Sequence, residues 1–264
     1  MGLIYSSDII LVDDGDITAR STAAGYAKVD IMDYWHLKAR HRANDVTKSD
    51  TNPLFRFDMD AAKTIVGVYL SDVNYNKVRI RAHASDLGTD WSTSTYNSGD
   101  VSLAQNPWTG RYQGYVPCVF NLRYMAVLTP AAASAVGDYT TLWETGAVAI
   151  FDSVTELAVN FDHPLQQWAD DAILEVGRSG VVQLSDVMQW HGAFTFGNRL
   201  VADETELQLL NRTGRGSPVL VYLNDGNTSL AYLCKRKTAW KSSWFVPRAV
   251  RGDEPIAFDE LVGM

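Results

Sequence analysis

The stretch Leu54-Phe-Arg-Phe-Asp-Met-Asp60, followed by Val66-Gly-Val-Tyr-Leu70 and Val78-Arg-Ile-Arg-Ala82, decides the fold. Phe55, Phe57 and Met59 share one parity, with Arg56 and Asp58 on the other. Val66, Val68 and Leu70 alternate with Gly67 and Tyr69, and Val78, Ile80 and Ala82 with Lys77, Arg79 and Arg81. Successive side chains of a strand leave opposite faces, so a period of two marks one buried face and one wet face. A longer run of the same kind holds Phe120, Leu122, Tyr124, Ala126 and Leu128. Clusters of Asn, Asp, Ser, Gly and Pro separate these runs and no helical period intervenes, which is the pattern of a β-sandwich. Residues 86–106 read as loop with a short strand about Val101-Ser102-Leu103, Ala131–Ala133 as an exposed connection, and Thr145–Phe151 as the closing strand.

A second unit lies between Val181 and Leu223. Trp190, Phe194 and Phe196 alternate with Gln189, His191 and Thr195, a half-buried strand. Asp203 and Glu206 stand at capping-box spacing before Leu207, Leu209 and Leu210, so a helix is predicted there, ended by Gly214 and Gly216. Val219–Leu223 is a short apolar strand, Asn224-Asp-Gly-Asn227 a hairpin turn, and Leu230–Cys234 the returning strand. The expected division is an N-terminal arm and sandwich start over 1–50, the sandwich over 51–160, an assembly module over 161–252 and an acidic tail over 253–264.

The 264 residues allow one large domain or two ordinary ones, with 46% hydrophobic residues for real cores. A formal net charge of −8 argues against a general nucleic-acid binder, which needs a basic field. Ile9–Val12 is too short for a signal or a membrane span, so synthesis in a cytoplasm without membrane insertion is expected. Cys118 and Cys234 read as two buried thiols, with a single long-range disulfide as the alternative.

Chemistry is hard to find in the sequence. There is no Gly-x-Ser-x-Gly elbow, Gly-rich phosphate loop or His-Glu-x-x-His, and no enzyme or cofactor is expected. Asp13-Asp-Gly-Asp16 lacks the ligand ladder of a calcium loop and reads as a solvated turn. Tyr34-Trp-His36 and Arg40-His-Arg42 form an aromatic–basic cluster, but His36 and His41 are five apart and have no third metal ligand. Between 235 and 251, Lys235, Arg236, Lys237 and Lys241 stand among aromatics with no acid between them. That run is read as a cationic face for a neighbouring subunit, against a solvated face or a single-stranded nucleic-acid site, and the acids at 253–260 could pair with it internally. Trp91, Trp108 and Trp143, near loop-like stretches, are the candidate glycan contacts, because sugars stack on aromatic faces; filling a core or a subunit contact is the competing role.

The order of Leu54–Asp60, Val66–Leu70, Val78–Ala82, Tyr96-Asn-Ser-Gly99 and Arg123-Tyr124 resembles discoidin-like (galactose-binding-like) sandwiches, with Asn97 where many members carry Asp. Such domains bind ligands on loops at one end. The whole arrangement resembles minor tail proteins of tailed bacteriophages over most of Leu54–Val250, most specifically at Glu175-Val-Gly-Arg178 and Gly216-Ser-Pro-Val-Leu-Val-Tyr-Leu223. Its second half is similar to the sheet-plus-helix module of tail-tube and distal-tail proteins, although here the sandwich leads. The resemblance implies a mainly β chain, a discoidin-like jelly roll followed by a tail-tube-like β module with one packed helix. It implies a structural virion protein that assembles in the host cytoplasm into a ring with copies of itself and other tail proteins. Phe194, Phe196, Lys235, Arg236, Lys237 and Lys241 would form the assembly interface. A carbohydrate-binding module that helps hold the host surface is the second reading.

Overall fold

The computed structural model describes residues 2–157 except 7–8, 35–39, 107–109 and 136–141, and beyond these a set of strands between 167 and 260. Side chains are described from residue 9 to 155 and, in the second part, at 218–221 and 231–234. The chain is mainly β. Its strands, in order, begin with β1 (Gly2–Ser6), β2 (Ile9–Ile10), β3 (Ile17–Ala19) and β4 (His41–Arg42). The long β5 (Phe55–Val73) and β6 (Lys77–His83) follow, then the short β7 (Tyr96–Asn97), β8 (Val101–Ser102) and β9 (Ala104–Gln105). The long β10 (Tyr112–Leu128), β11 (Glu144–Thr145), β12 (Ala147–Phe151) and β13 (Thr155–Leu157) complete the first part.

Two runs predicted as separate strands, Leu54–Met59 and Val66–Leu70, are halves of one element, β5. Asp60 sits at φ 62, a left-handed turn of the backbone that lets the strand bend without ending. The first half pairs with the end of β10 (Phe55↔Val127, Asp58↔Tyr124) and the second with its start (Ile65↔Phe120, Leu70↔Gly114). β6 joins only the end of β10, whereas β12 joins only the second half of β5 and carries β2 on its other edge. Each long strand therefore passes through both layers. Between the layers lies one apolar core, with Phe55, Phe57, Val78 and Ile80 from one side and Val68, Leu70, Val116, Val148 and Ile150 from the other.

β12 reads Ala-Val-Ala-Ile-Phe and is buried at every position. A strand without alternation has both faces covered. Val148 and Ile150 point into the sandwich, while Ala147, Ala149 and Phe151 join Tyr34, Tyr69 and Tyr115 on its outer face. That face is covered by Leu220, Ala231 and Leu233. Leu220 and Leu233 belong to, and Ala231 leads into, a seven-stranded sheet that adds β14 (Gln167–Asp170), β17 (Trp190–Phe196), β19 (Pro218–Asn224), β20 (Tyr232–Arg236) and β23 (Ile256–Glu260) to β1 and β13, in the order β13-β1-β19-β20-β23-β17-β14. A two-stranded pair, β15 (Ile173–Val176) with β16 (Val182–Ser185), and a three-stranded group, β18 (Arg199–Leu200), β21 (Lys241–Val246) and β22 (Ala249–Glu254), form separate sheets.

The strands expected at 190–196, 219–223 and 230–234 are present as β17, β19 and β20. The helix expected after Asp203 lies outside the described residues. Residues 256–260, read from sequence as part of an acidic tail, form β23 between β20 and β17. Asp13–Asp16 is a 3-10 turn, closed by the Asp16 amide donating to the Asp13 carbonyl at 3.0 Å. Cys118 and Cys234 are both buried and are not joined to each other, so the disulfide alternative does not hold.

Candidate functional site

At the end of the sandwich where β5 stops, the chain gathers charge. β10 begins there (Tyr112↔Val73), and β12 starts beside the same end (Ala147↔Ser71) and runs away from it. Arg111 lies just before β10, Asp72 near the end of β5, and Glu144 on β11 opposite Arg42 on β4. Asp72 has φ 53, a conformation that aspartate tolerates better than most residues. Gly146 makes room for it: a Cβ on that glycine would lie 2.7 Å from the Asp72 Cβ.

Arg111 ties the group together. Its Nε lies 2.6 Å from Asp72 Oδ1, and Nη1 donates to Glu144 Oε2 at 2.8 Å. Its Nε and Nη2 also donate to the Asp72 carbonyl at 3.1 and 2.8 Å. Arg40 brings Nε to 2.6 Å from Asp72 Oδ2 and Nη1 to 3.8 Å from Glu144 Oε2, while Arg42 Nη2 meets Glu144 Oε1. The Arg42 guanidinium also lies 4.3 Å over the Tyr26 ring, a cation–π contact. Glu144 is held from behind, its amide donating to Asn74 Oδ1 at 2.8 Å. Three guanidiniums thus meet two carboxylates. The carboxyl of Glu144 is 3% exposed and the Arg111 side chain 6%, whereas Arg40 and Arg42 are each 31% exposed. Burial pushes the Asp72 carboxyl up, against the pull of Arg111 and Arg40.

Beside the group His41 is fully buried, with its ring edge on Phe55 at 4.8 Å and Nε2 2.9 Å from the Ser21 carbonyl. At the bend of the sandwich Arg123 grips Asp58 with two 2.7 Å hydrogen bonds, which hold the Asp58 carboxyl below its usual range. Among the described residues no three His, Cys, Asp or Glu side chains stand together as metal ligands.

Two of the tryptophans read as candidate glycan contacts have no face open to a sugar. Trp91 and Trp143 are completely buried. Trp91 covers Ala126 and Leu128 and donates Nε1 to the Gly88 carbonyl at 3.0 Å. Trp143 packs edge-on to Tyr75 at 5.7 Å and donates Nε1 to the Thr47 carbonyl at 3.0 Å. Each indole is large enough to fill a gap between loop and sheet, and each N–H finds a backbone acceptor there. Trp108 and Lys237 lie outside the described residues. Phe194 and Phe196 sit on β17 opposite Phe258 and Ile256. Lys235 stands opposite Asp259, Arg236 opposite Phe258, and Lys241 opposite Glu254. The register therefore places acids beside two of the cations read as facing a neighbour.

Arg40, Asp72, Arg111 and Glu144 escaped the sequence reading as a set because they are spread over four segments. The visible signal was Arg40-His-Arg42, two cations flanking a histidine that is buried in the fold.

No protein-family model matches the chain. No curated protein matches it in sequence. Solved structures do resemble it. A CBM32 module of a family 31 glycoside hydrolase from Clostridium perfringens is 12% identical, with a TM-score of 0.39 over 55% of this chain and 96% of that one. A chitosan-binding module from Paenibacillus sp. IK-5 is 12% identical, with a TM-score of 0.33 over 51% and 92%. The lectin domain of lectinolysin, solved with Lewis B antigen, is 14% identical, with a TM-score of 0.34 over 53% and 94%.

Proposed function

We propose that this chain is a non-catalytic recognition and assembly protein, whose sandwich binds saccharide at the rim of Arg40, Arg42, Asp72, Arg111 and Glu144. The observation that carries the reading is the division of the sandwich surface. Its outer face at Tyr69, Tyr115 and Phe151 is covered by the second sheet, while the rim keeps Arg40 and Arg42 partly open to solvent. Guanidinium and carboxylate groups locked by one another offer fixed donors and acceptors, the kind of convergent polar set that orients a small polar ligand. The seven-stranded sheet, built from both ends of the chain, is the part that fixes the sandwich to a larger body. The residue order described above favours a bacteriophage tail as that body, with the sandwich turned toward the host surface.

The test is a glycan array probed with the purified chain and with Arg40→Gln. The wild type retains a defined subset of glycans, and the variant loses about tenfold of that signal while melting at a similar temperature, since Arg40 is a partly exposed member of the group. An array on which the wild type retains nothing removes the saccharide reading.

A further inference from the structure

We infer that the rim selects a saccharide carrying a negative charge, a uronic or sialic acid carboxylate or a sulfate ester, and seats that charge between Arg40 and Arg42. This rests on the reading of the rim as a saccharide site and narrows it to a ligand class. The argument begins with charge. Among the described residues, three guanidiniums against two carboxylates leave the group one positive charge in excess, on a chain whose formal net charge is −8. An isolated excess cation in an acidic protein is a local inversion of the field, and such inversions select ligands by sign.

The geometry says where the excess faces. Arg111 lies against both carboxylates and is almost fully buried. Arg40 and Arg42 each approach one oxygen of the Glu144 carboxylate, and both remain about one-third open. Their guanidiniums are thereby held close together with like charge, and a third anion on the open side relieves that repulsion. Tyr26 stacks on Arg42 and Asp72 lies against Arg40 Nε, so both forks are oriented before ligand arrives. A planar fork pairs with a carboxylate or sulfate through two parallel hydrogen bonds, which a neutral hydroxyl cannot match.

The experiment is calorimetric titration of the full chain with oligosaccharides bearing a uronic acid, a sialic acid or a sulfate ester, each beside its neutral parent or methyl ester. At least one charged sugar should bind tenfold or more tightly than its neutral partner. That advantage should shrink at least fivefold between 50 and 500 mM salt and in Arg40→Gln, with Arg42→Lys keeping part of it. Arg123→Gln, at the bend of the sandwich, controls for general loss of charge and should leave it unchanged. Melting curves separate misfolding from lost binding. Equal affinity for charged and neutral partners overturns this inference and leaves the saccharide reading standing. Binding of inorganic sulfate without any charged sugar marks an adventitious anion only and also overturns it. No binding of any sugar removes both.

Discussion

His41 is the side chain on which the rim loops hang. It is completely buried, yet its Nε2 reaches the Ser21 carbonyl at 2.9 Å and lies 3.3 Å from Thr22 Oγ1. A carbonyl can only accept, so Nε2 carries the proton in the neutral ring, and Nδ1 has no hydrogen-bond partner among the described residues. Burial pushes the pKa down to about 4, with the Ser21 bond pulling the other way. The sign follows from linkage. A folded-state value below the ordinary 6.5 means that the unfolded chain takes up the proton first as pH falls. The stability contributed by neutral His41 is complete above about pH 6.5 and is lost progressively down to about pH 4. Calorimetric melting of the wild type should therefore fall more steeply across that window than melting of His41→Gln, which has no such proton to gain. Parallel curves would mean that the ring is not what responds. Glu144 and Asp72 are a different kind of risk: removing either leaves arginines facing one another, and breaking a buried pair by removing one partner costs about 3–5 kcal/mol.

At the scale of elements, the crossing of β5 and β10 shows what the alternation rule reads and what it misses. Gly67 lies on the outer face, and a Cβ there would sit 2.0 Å from the Tyr115 hydroxyl and 2.1 Å from the ring carbon that bears it. Tyr115 has no easy retreat, since it is buried under the second sheet and donates to the Val66 carbonyl at 3.0 Å. Gly67→Ala should destabilise the fold by about 1–3 kcal/mol, the range for overpacking, measured as a lowered midpoint in urea. Gly67→Ala combined with Tyr115→Leu should recover part of that loss; a fully stable single variant would show that the ring moves freely. The sequence carried the strands of the sandwich well because each buries one face, and Phe55/Phe57/Met59 or Val78/Ile80/Ala82 can then be read by parity alone. It could not carry the second burial of Ala147, Ala149 and Phe151, because what covers them lies at 220–233, some way along the chain. The same limit hid the fate of Trp91 and Trp143: a tryptophan near a loop looks exposed until the tertiary partner is known. The rim was legible only at Arg40-His-Arg42, since ion pairs between distant segments leave no periodic trace.

The whole molecule is a sandwich mounted on a sheet rather than two beads on a string. Leu220 and Leu233 are buried against Tyr69, Tyr115 and Phe151, so sandwich and sheet present themselves to a partner as one body. If that body is set in a ring, its interfaces are head to tail and must close by rotation, which makes them sensitive to single faces. β17, next to the edge strand β14, places Phe194 and Phe196 in register with Phe258 and Ile256. Phe194→Ser with Phe196→Ser should leave glycan retention by the sandwich intact but reduce incorporation into assembled particles at least tenfold, scored by immunoblot of purified particles. Normal incorporation would place the assembly face elsewhere. One feature of the sheet also bears on how the chain is made. β1 pairs with β13 on one side and β19 on the other, so residues 2–6 bridge two strands that are synthesised long after them. Closing a loop of roughly two hundred residues is slow relative to local pairing, and strands joined that way lock late. Until 218–224 has left the ribosome, residues 2–6 can pair with β13 alone, and the apolar outer face of the sandwich stands uncovered in the nascent chain. That interval is when this protein is most exposed to mispairing with another copy, and when a chaperone would have the most to hold.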